Sequence, residues 1–401
     1  MTNHHPPITD PATGEIVPDT FFLPDGDAFI PTAWTRSGWD AGTMRGGAVA
    51  GLLMGDDTAA ARAHLRRAIA LDPSDVDAWN WLGNGLSRDG DPELAIAAYR
   101  TASRLDPLYT PALMNLAQSA GDLGRPDEID RLVVASRRAG AGPDILAALA
   151  AYRALASNDL SESAKALARG GKDDEGRARP ASLMPWILTL ERLDMLEPLH
   201  RIVDCPPWYP ALVRGQVLPP MSIDGRKVTP AEFWLSFYYS YAAARALFNH
   251  GETERLVTLY RQAFGNADRF LAEARRAQQL SSTATTLAMA LAARGQEAEA
   301  RYILAAAERD LDKPGRRVWQ RDDLADLAAI KAAQGEHREA LALLGQAVDR
   351  QWLPDGRAKP IDLRQEPAFA KLRGDPRFEA LRSQILATVA RERAEVGSLP
   401  L

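Results

Sequence analysis

DVDAWNWLGNGLSRDGDPELAIAAYRTASRLDP, residues 75–107, is the stretch on which the fold reading turns. Trp79, Leu82, Gly83 and Leu86 recur at i, i+3, i+4 and i+7, the spacing of one helix face. Gly90 breaks that pattern. Ala95, Tyr99 and Ala102 then form a second face, and Pro107 closes the unit. Small residues at 83, 95 and 102 let two antiparallel helices approach closely. The large side chains of Trp79, Leu82 and Tyr99 fill the space between this pair and the next.

The pattern repeats in register. Thirty-four residues before Ala95, Tyr99, Ala102 and Pro107 stand Ala61, Leu65, Ala68 and Pro73. Thirty-four after Trp79, Leu82 and Gly90 stand Leu113, Leu116 and Gly124. A weaker unit follows at 144–169. The Trp, Leu-Gly, Ala, Tyr, Ala and Pro positions at this period resemble the tetratricopeptide (TPR) motif, which implies a solenoid of helical hairpins. In the second half, Gly251, Gly295 and Gly335 each separate two helical patterns. Leu256, Ala300 and Ala340 follow five residues later, Tyr260, Leu304 and Leu344 nine later, and Ala263, Ala307 and Ala347 twelve later. The steps between these glycines are unequal and longer than the period of the first half, so this half is expected to be less regular.

Around 171–230 the pattern fails. GGKDDEGRARP reads as a charged linker. Nine prolines follow, at 180, 185, 198, 206, 207, 210, 219, 220 and 230, so the stretch cannot be one continuous helix. Asp224-Gly225 suggests a small hairpin, and Thr229-Pro230-Ala231-Glu232 a helix start. At the other end, Phe369, Leu372, Phe378 and Leu381 sit in phrases that resemble the ends of TPR arrays in many bacterial proteins. They are expected to cover the open apolar edge that a solenoid must cap.

The fold expected is therefore all-α: a TPR-type solenoid in two arrays with an irregular, proline- and aromatic-rich connection. The domains expected are an extended arm over 1–41, a first array over 42–170, a connection over 171–230, a second array over 231–356 and a helical cap over 357–401.

Composition narrows the function. The 401 residues carry a net charge of −5, so no global basic field points to nucleic acid. Seven lysines and 41 arginines supply the positive charge. The single cysteine, Cys205, can make neither an internal disulfide nor a thiolate metal site on its own. The first residues lack the basic start and apolar run of a signal peptide, and no apolar run reaches membrane-span length. The expectation is a cytoplasmic protein without cofactor or metal. The six histidines show no metal spacing, and no nucleophile elbow, Walker loop or dinucleotide fingerprint occurs. The chain is accordingly not expected to be an enzyme.

A TPR groove is lined by the first helices of the pairs, so groove positions are the candidate sites. Asn80, Asn84 and Asn115 fall there, and Asn115 follows Asn84 by a little less than one repeat. The resemblance implies that Asn84 and Asn115 contact a peptide main chain. An amide suits that task because it donates and accepts at once. The basic residues with which some TPR proteins hold a terminal carboxylate are replaced here by Asn80, Ile145 and Leu149, which points away from a carboxylate clamp. The arginine pairs at 66–67, 137–138, 275–276 and 316–317 read as solvated surface. Trp208, Tyr209, Trp234 and Tyr238 belong to an aromatic set that either anchors a partner or buries the junction between arrays.

FFLPDGDAFIPTAWTRSGWDAGTMRGGAVAGLLM, residues 21–54, resembles the opening of thioesterase-like hotdog proteins at Pro31-Thr32, Trp39 and Gly46-Gly47. Arg45 stands where that family has histidine, and TPR units follow in place of the strands a hotdog needs. Residues 42–54 are therefore expected to form the first helix of the first pair. The function expected is a scaffold or adaptor that binds a protein or peptide in its concave groove. The alternative is an enzyme or accessory subunit that uses the N-terminal arm and residues 204–234. A homodimer whose groove is filled by its own arm or by residues 204–230 is a third arrangement to test.

Overall fold

The computed structural model describes residues 22–25, 28–31, 58–88, 91–203, 209–214, 216, 240–276, 280–311, 321–356 and 358–399. The expected hairpin at Asp224-Gly225, the helix start at Thr229, the helix over 42–54 and Cys205 lie outside these residues. Two compact units, Met1–Leu116 and Ala117–Leu401, are considered in turn.

The first unit opens with a feature the all-α expectation omits. Strands β1 (Phe22–Asp25) and β2 (Ala28–Pro31) pair antiparallel, with Phe22 opposite Pro31 and Asp25 opposite Ala28. Helices α1 (Thr58–Leu71), α2 (Val76–Arg88) and α3 (Pro92–Leu105) follow, and α4 (Thr110–Asp122) begins in this unit and ends in the second. The corners between pairs repeat with the sequence. Asp72 Oδ1 accepts the Ser74 N–H at 2.9 Å, and Asp106 Oδ1, one period further on, accepts the Leu108 N–H at 2.8 Å. Each carboxylate turns the chain at an Asp-Pro step. Pro92 begins α3, where its missing N–H costs no helical bond.

The close approach of α2 and α3 depends on Gly83. A Cβ there would lie 2.4 Å from the Tyr99 ring, well inside contact distance. Tyr99, Ala95, Ala102, Leu82 and Leu86 are buried, as their register requires.

The second unit contains α5 (Pro126–Arg138), α6 (Pro143–Ala156) and α7 (Leu160–Gly170). Within 171–230, read from sequence as irregular, lie three short helices: α8 (Leu183–Arg192), α9 (Leu196–Val203) and α10 (Tyr209–Val213). The prolines permit this because of where they fall. Pro185, Pro198 and Pro210 all sit in first turns, where a backbone N–H has no helical acceptor. Trp186 is fully buried and packs with Leu190, Leu196, Leu199 and Ala246.

Helices α11 (Ser240–Asn249), α12 (Thr253–Phe264), α13 (Ala267–Arg276), α14 (Leu280–Ala293), α15 (Glu297–Leu311), α16 (Arg321–Gln334) and α17 (His337–Asp349) form the later part. Gly251, Gly295 and Gly335 stand in the turns of the pairs α11–α12, α14–α15 and α16–α17, with φ of 77°, 74° and 89°. That left-handed backbone is the reason for glycine at each. The positions at five, nine and twelve residues after these glycines are all buried. Tyr260, Phe264 and Phe270 cluster, with ring centroids 5.3–6.2 Å apart and Phe270 edge-on to both of the others. The longer first step of this half reflects α13, which stands between one pair and the next.

After α17 the chain runs without regular helix to two 3-10 turns, Leu363–Gln365 and Pro367–Leu372, and ends in α18 (Pro376–Val396). Phe369 and Phe378 are fully buried, with ring centroids 5.7 Å apart. The turn over 367–372 packs on α11, α14 and α16, and α18 packs on α17 and on α7.

Candidate functional site

Helix α2 presents Asp77, Asn80 and Asn84 at i, i+3 and i+7, on one stripe. Asn115 comes from α4. The three asparagines meet. Asn115 Nδ2 donates to Asn80 Oδ1 at 3.0 Å and to Asn84 Oδ1 at 3.1 Å, using both of its hydrogens. Asn84 Oδ1 also accepts the Tyr99 hydroxyl at 2.8 Å. Asn80 is only 2% exposed, whereas Asn84 and Asn115 are half-buried. A buried amide must be paired, and this cluster pairs each amide oxygen of α2 with a donor. Asn84 Nδ2 and Asn115 Oδ1 have no partner among the described residues. One such donor and one such acceptor therefore belong to the half-buried pair Asn84 and Asn115.

Tyr99 and Tyr109 complete the site. Burial pushes the Tyr99 hydroxyl well above its usual range, so it stays a neutral donor. Tyr109, just before α4, donates to Asp77 in the first turn of α2. Burial also raises the Tyr109 hydroxyl, and the bond to Asp77 and the charges of Asp77, Asp75 and Asp106 reinforce this. The indole of Trp79 donates to the Pro73 carbonyl at 3.0 Å, tying the start of α2 to the preceding corner. Sequence reasoning assigned Tyr99 to packing alone and did not single out Tyr109. The signal for Tyr99 was available, since a buried tyrosine hydroxyl usually finds a partner. Nothing in the spacing paired Tyr109 with Asp77.

The other candidates are dispersed. Ile145 and Leu149, at the positions where a carboxylate clamp would carry charge, are buried in the apolar core. Arg66, Arg67, Arg137 and Arg138 are exposed, and Arg275 pairs with Asp310 at 3.1 Å. Tyr209 begins α10, but its side chain, like Trp208, Trp234 and Tyr238, lies outside the described residues. So does most of the hotdog-like stretch, apart from the β1–β2 hairpin. Among the described residues no cluster of histidine, cysteine and carboxylates could hold a metal ion. No described helix is long and apolar enough to cross a membrane.

The family model for tetratricopeptide repeats matches residues 54–107 and 83–128. Residues 54–128 carry TPR repeats. The matched segments contain α1 to α4, the Gly83–Tyr99 contact and all three asparagines of the site. A search of curated proteins returned no match. The TPR assignment thus rests on the repeat itself, and it makes the all-α helical-hairpin solenoid the architecture that holds the asparagines.

Proposed function

We propose that this TPR protein is an interaction scaffold that takes an extended segment of a partner protein against α2 and α4. TPR repeats suggest protein partners in general; the asparagine site is our reading of where one binds. The observation that carries it is the double donation from Asn115 Nδ2 to Asn80 and Asn84. It orders the amides and leaves Asn84 Nδ2 and Asn115 Oδ1, unpaired among the described residues, as one donor and one acceptor of a bonded pair. A peptide main chain offers that same pair at each residue, so an extended segment can satisfy both. Prior rotamer locking lowers the entropy lost on binding. Ile145 and Leu149 stand where a clamp would place cations, which favours an internal segment of the partner over a chain terminus.

The test is selection of binding peptides from a displayed random library against the full chain. The measured affinities are then compared with those of an Asn84→Ala/Asn115→Ala variant. Loss of about 1–3 kcal/mol is expected if the amides pair with a buried main chain. Unchanged affinity in a variant of native helicity would remove the site from consideration.

A further inference from the structure

The first helices of the later pairs, α11, α14 and α16, are already engaged. Such helices line the concave binding surface of a helix-pair array. Residues 351–372 lie across them, and the contacts have the form of peptide recognition. The Trp352 indole donates to Asp322 Oδ1 of α16 at 2.8 Å. Lys359 Nζ donates to Asp326 Oδ1 of α16 at 2.7 Å, and Ser281 of α14 donates to the same carboxylate. Arg245 of α11 reaches main chain: Nη2 donates to Gly356 O at 3.2 Å and to Val213 O at 3.0 Å, and Nη1 to Ala358 O at 3.4 Å. Asn249 Nδ2, also on α11, donates to Gln365 O at 2.9 Å. Phe369 and Leu372 bury completely beside α11, α14 and α16.

Most of these interactions join a side chain of a first helix to a carbonyl or a single side chain of the segment. The segment also shapes itself, because Asp355 Oδ1 accepts the N–H groups of Ala358 and Lys359. It is bounded by two exposed turns, at Arg350 and at Gly374, where φ is 88°. Arg245 and Lys359 are buried cations, which a merely space-filling strap would not need.

We propose that residues 351–372 are a resident ligand of the second set of helix pairs. That set recognises its own downstream segment by two anchoring side chains, Trp352 and Lys359, and by carbonyls 356, 358 and 365. It is closed to outside partners while the segment is seated. This reading is independent of the asparagine site on α2 and α4.

The experiment uses the full chain with a protease recognition site inserted at each of the two exposed turns. Cutting both leaves 351–373 held by non-covalent contacts alone. A fluorescent synthetic 351–373 peptide is then added in excess. The doubly cut protein should keep its helical circular dichroism and incorporate the labelled peptide, while the uncut protein should not. The same peptide carrying Lys359→Glu should compete at least about a hundredfold less well, since it breaks a buried ion pair. Three outcomes would overturn the proposal. They are loss of helicity on cutting, which makes the segment part of the fold; no incorporation into the cut protein; and equal competition by the Lys359→Glu peptide.

Discussion

Arg393 donates from Nε to the carbonyl oxygen of Leu193 at 2.7 Å, although the two stand far apart in the sequence. Its Nη2 lies 3.3 Å from Asp194 Oδ2. Beside it, the Ser161 N–H donates to Glu392 Oε2 at 3.0 Å, and Lys165 pairs with Glu395 at 3.3 Å. A strict solenoid makes contacts between neighbouring repeats only. Helix α18 departs from that rule by returning to α7 and to the turn after α8. Arg393→Ala should therefore lower unfolding free energy by about 1–2 kcal/mol, the cost of a charge-assisted bond to a carbonyl. Urea denaturation of the purified variant measures it. A change within error would show that the return of α18 does not depend on the Arg393 bonds.

Two glycines make opposite predictions. Gly83→Ala drives a methyl into the Tyr99 ring and should cost about 1–3 kcal/mol through overpacking. Gly345, inside α17, has nothing within 4 Å of where a Cβ would stand. Gly345→Ala should therefore stabilise by about 0.5–1 kcal/mol through helix propensity. Thermal unfolding followed by far-ultraviolet circular dichroism distinguishes the two signs.

The asparagine cluster predicts coupling. In a double-mutant cycle, Asn80→Ala and Asn115→Ala should be non-additive by about 0.5–1.5 kcal/mol, because each removes the same bond. Additive effects in chemical denaturation would mean that the two amides do not meet in solution.

A fourth prediction concerns pH. Arg382 donates to both oxygens of Asp362, at 2.5 and 2.6 Å, and holds its carboxyl below the usual aspartate range; the Arg364 N–H adds to this against the opposing effect of burial. A carboxylate depressed in the folded state contributes stability that is full above its unfolded pKa of about 3.9. That contribution is lost as pH falls through the lower folded value. The midpoint of thermal unfolding should thus fall more steeply with acidification in the wild type than in Asp362→Asn. Parallel curves for the two proteins would contradict the assignment.

The repeat was legible because its physical cause is local and periodic. Close helix packing demands a small residue at 83, 95 and 102 and a large one at 79, 82 and 99, and the demand recurs once per repeat. That the asparagines sit on neighbouring first helices, α2 and α4, was legible for the same reason. Their mutual bonding was not, since the spacing of Asn84 and Asn115 sets helix neighbourhood but not side-chain torsion. In the middle region the prolines ruled out one continuous helix but did not reveal the short ones. A proline breaks a helix only in its interior, and Pro185, Pro198 and Pro210 stand at first-turn positions that only a helix boundary reveals.

The sequence by itself determined the unit of architecture, the TPR helix pair, because it follows from contacts between residues about one repeat apart. Only the tertiary structure decided where the non-repeating C-terminal segment goes. Trp352, Lys359 and Phe369 carry no period, and their partners Asp322, Asp326 and the first helices are chosen by burial and charge pairing over distances that no local pattern encodes. The same holds for Arg393 and Leu193, whose bond exists only once the helices between them have packed.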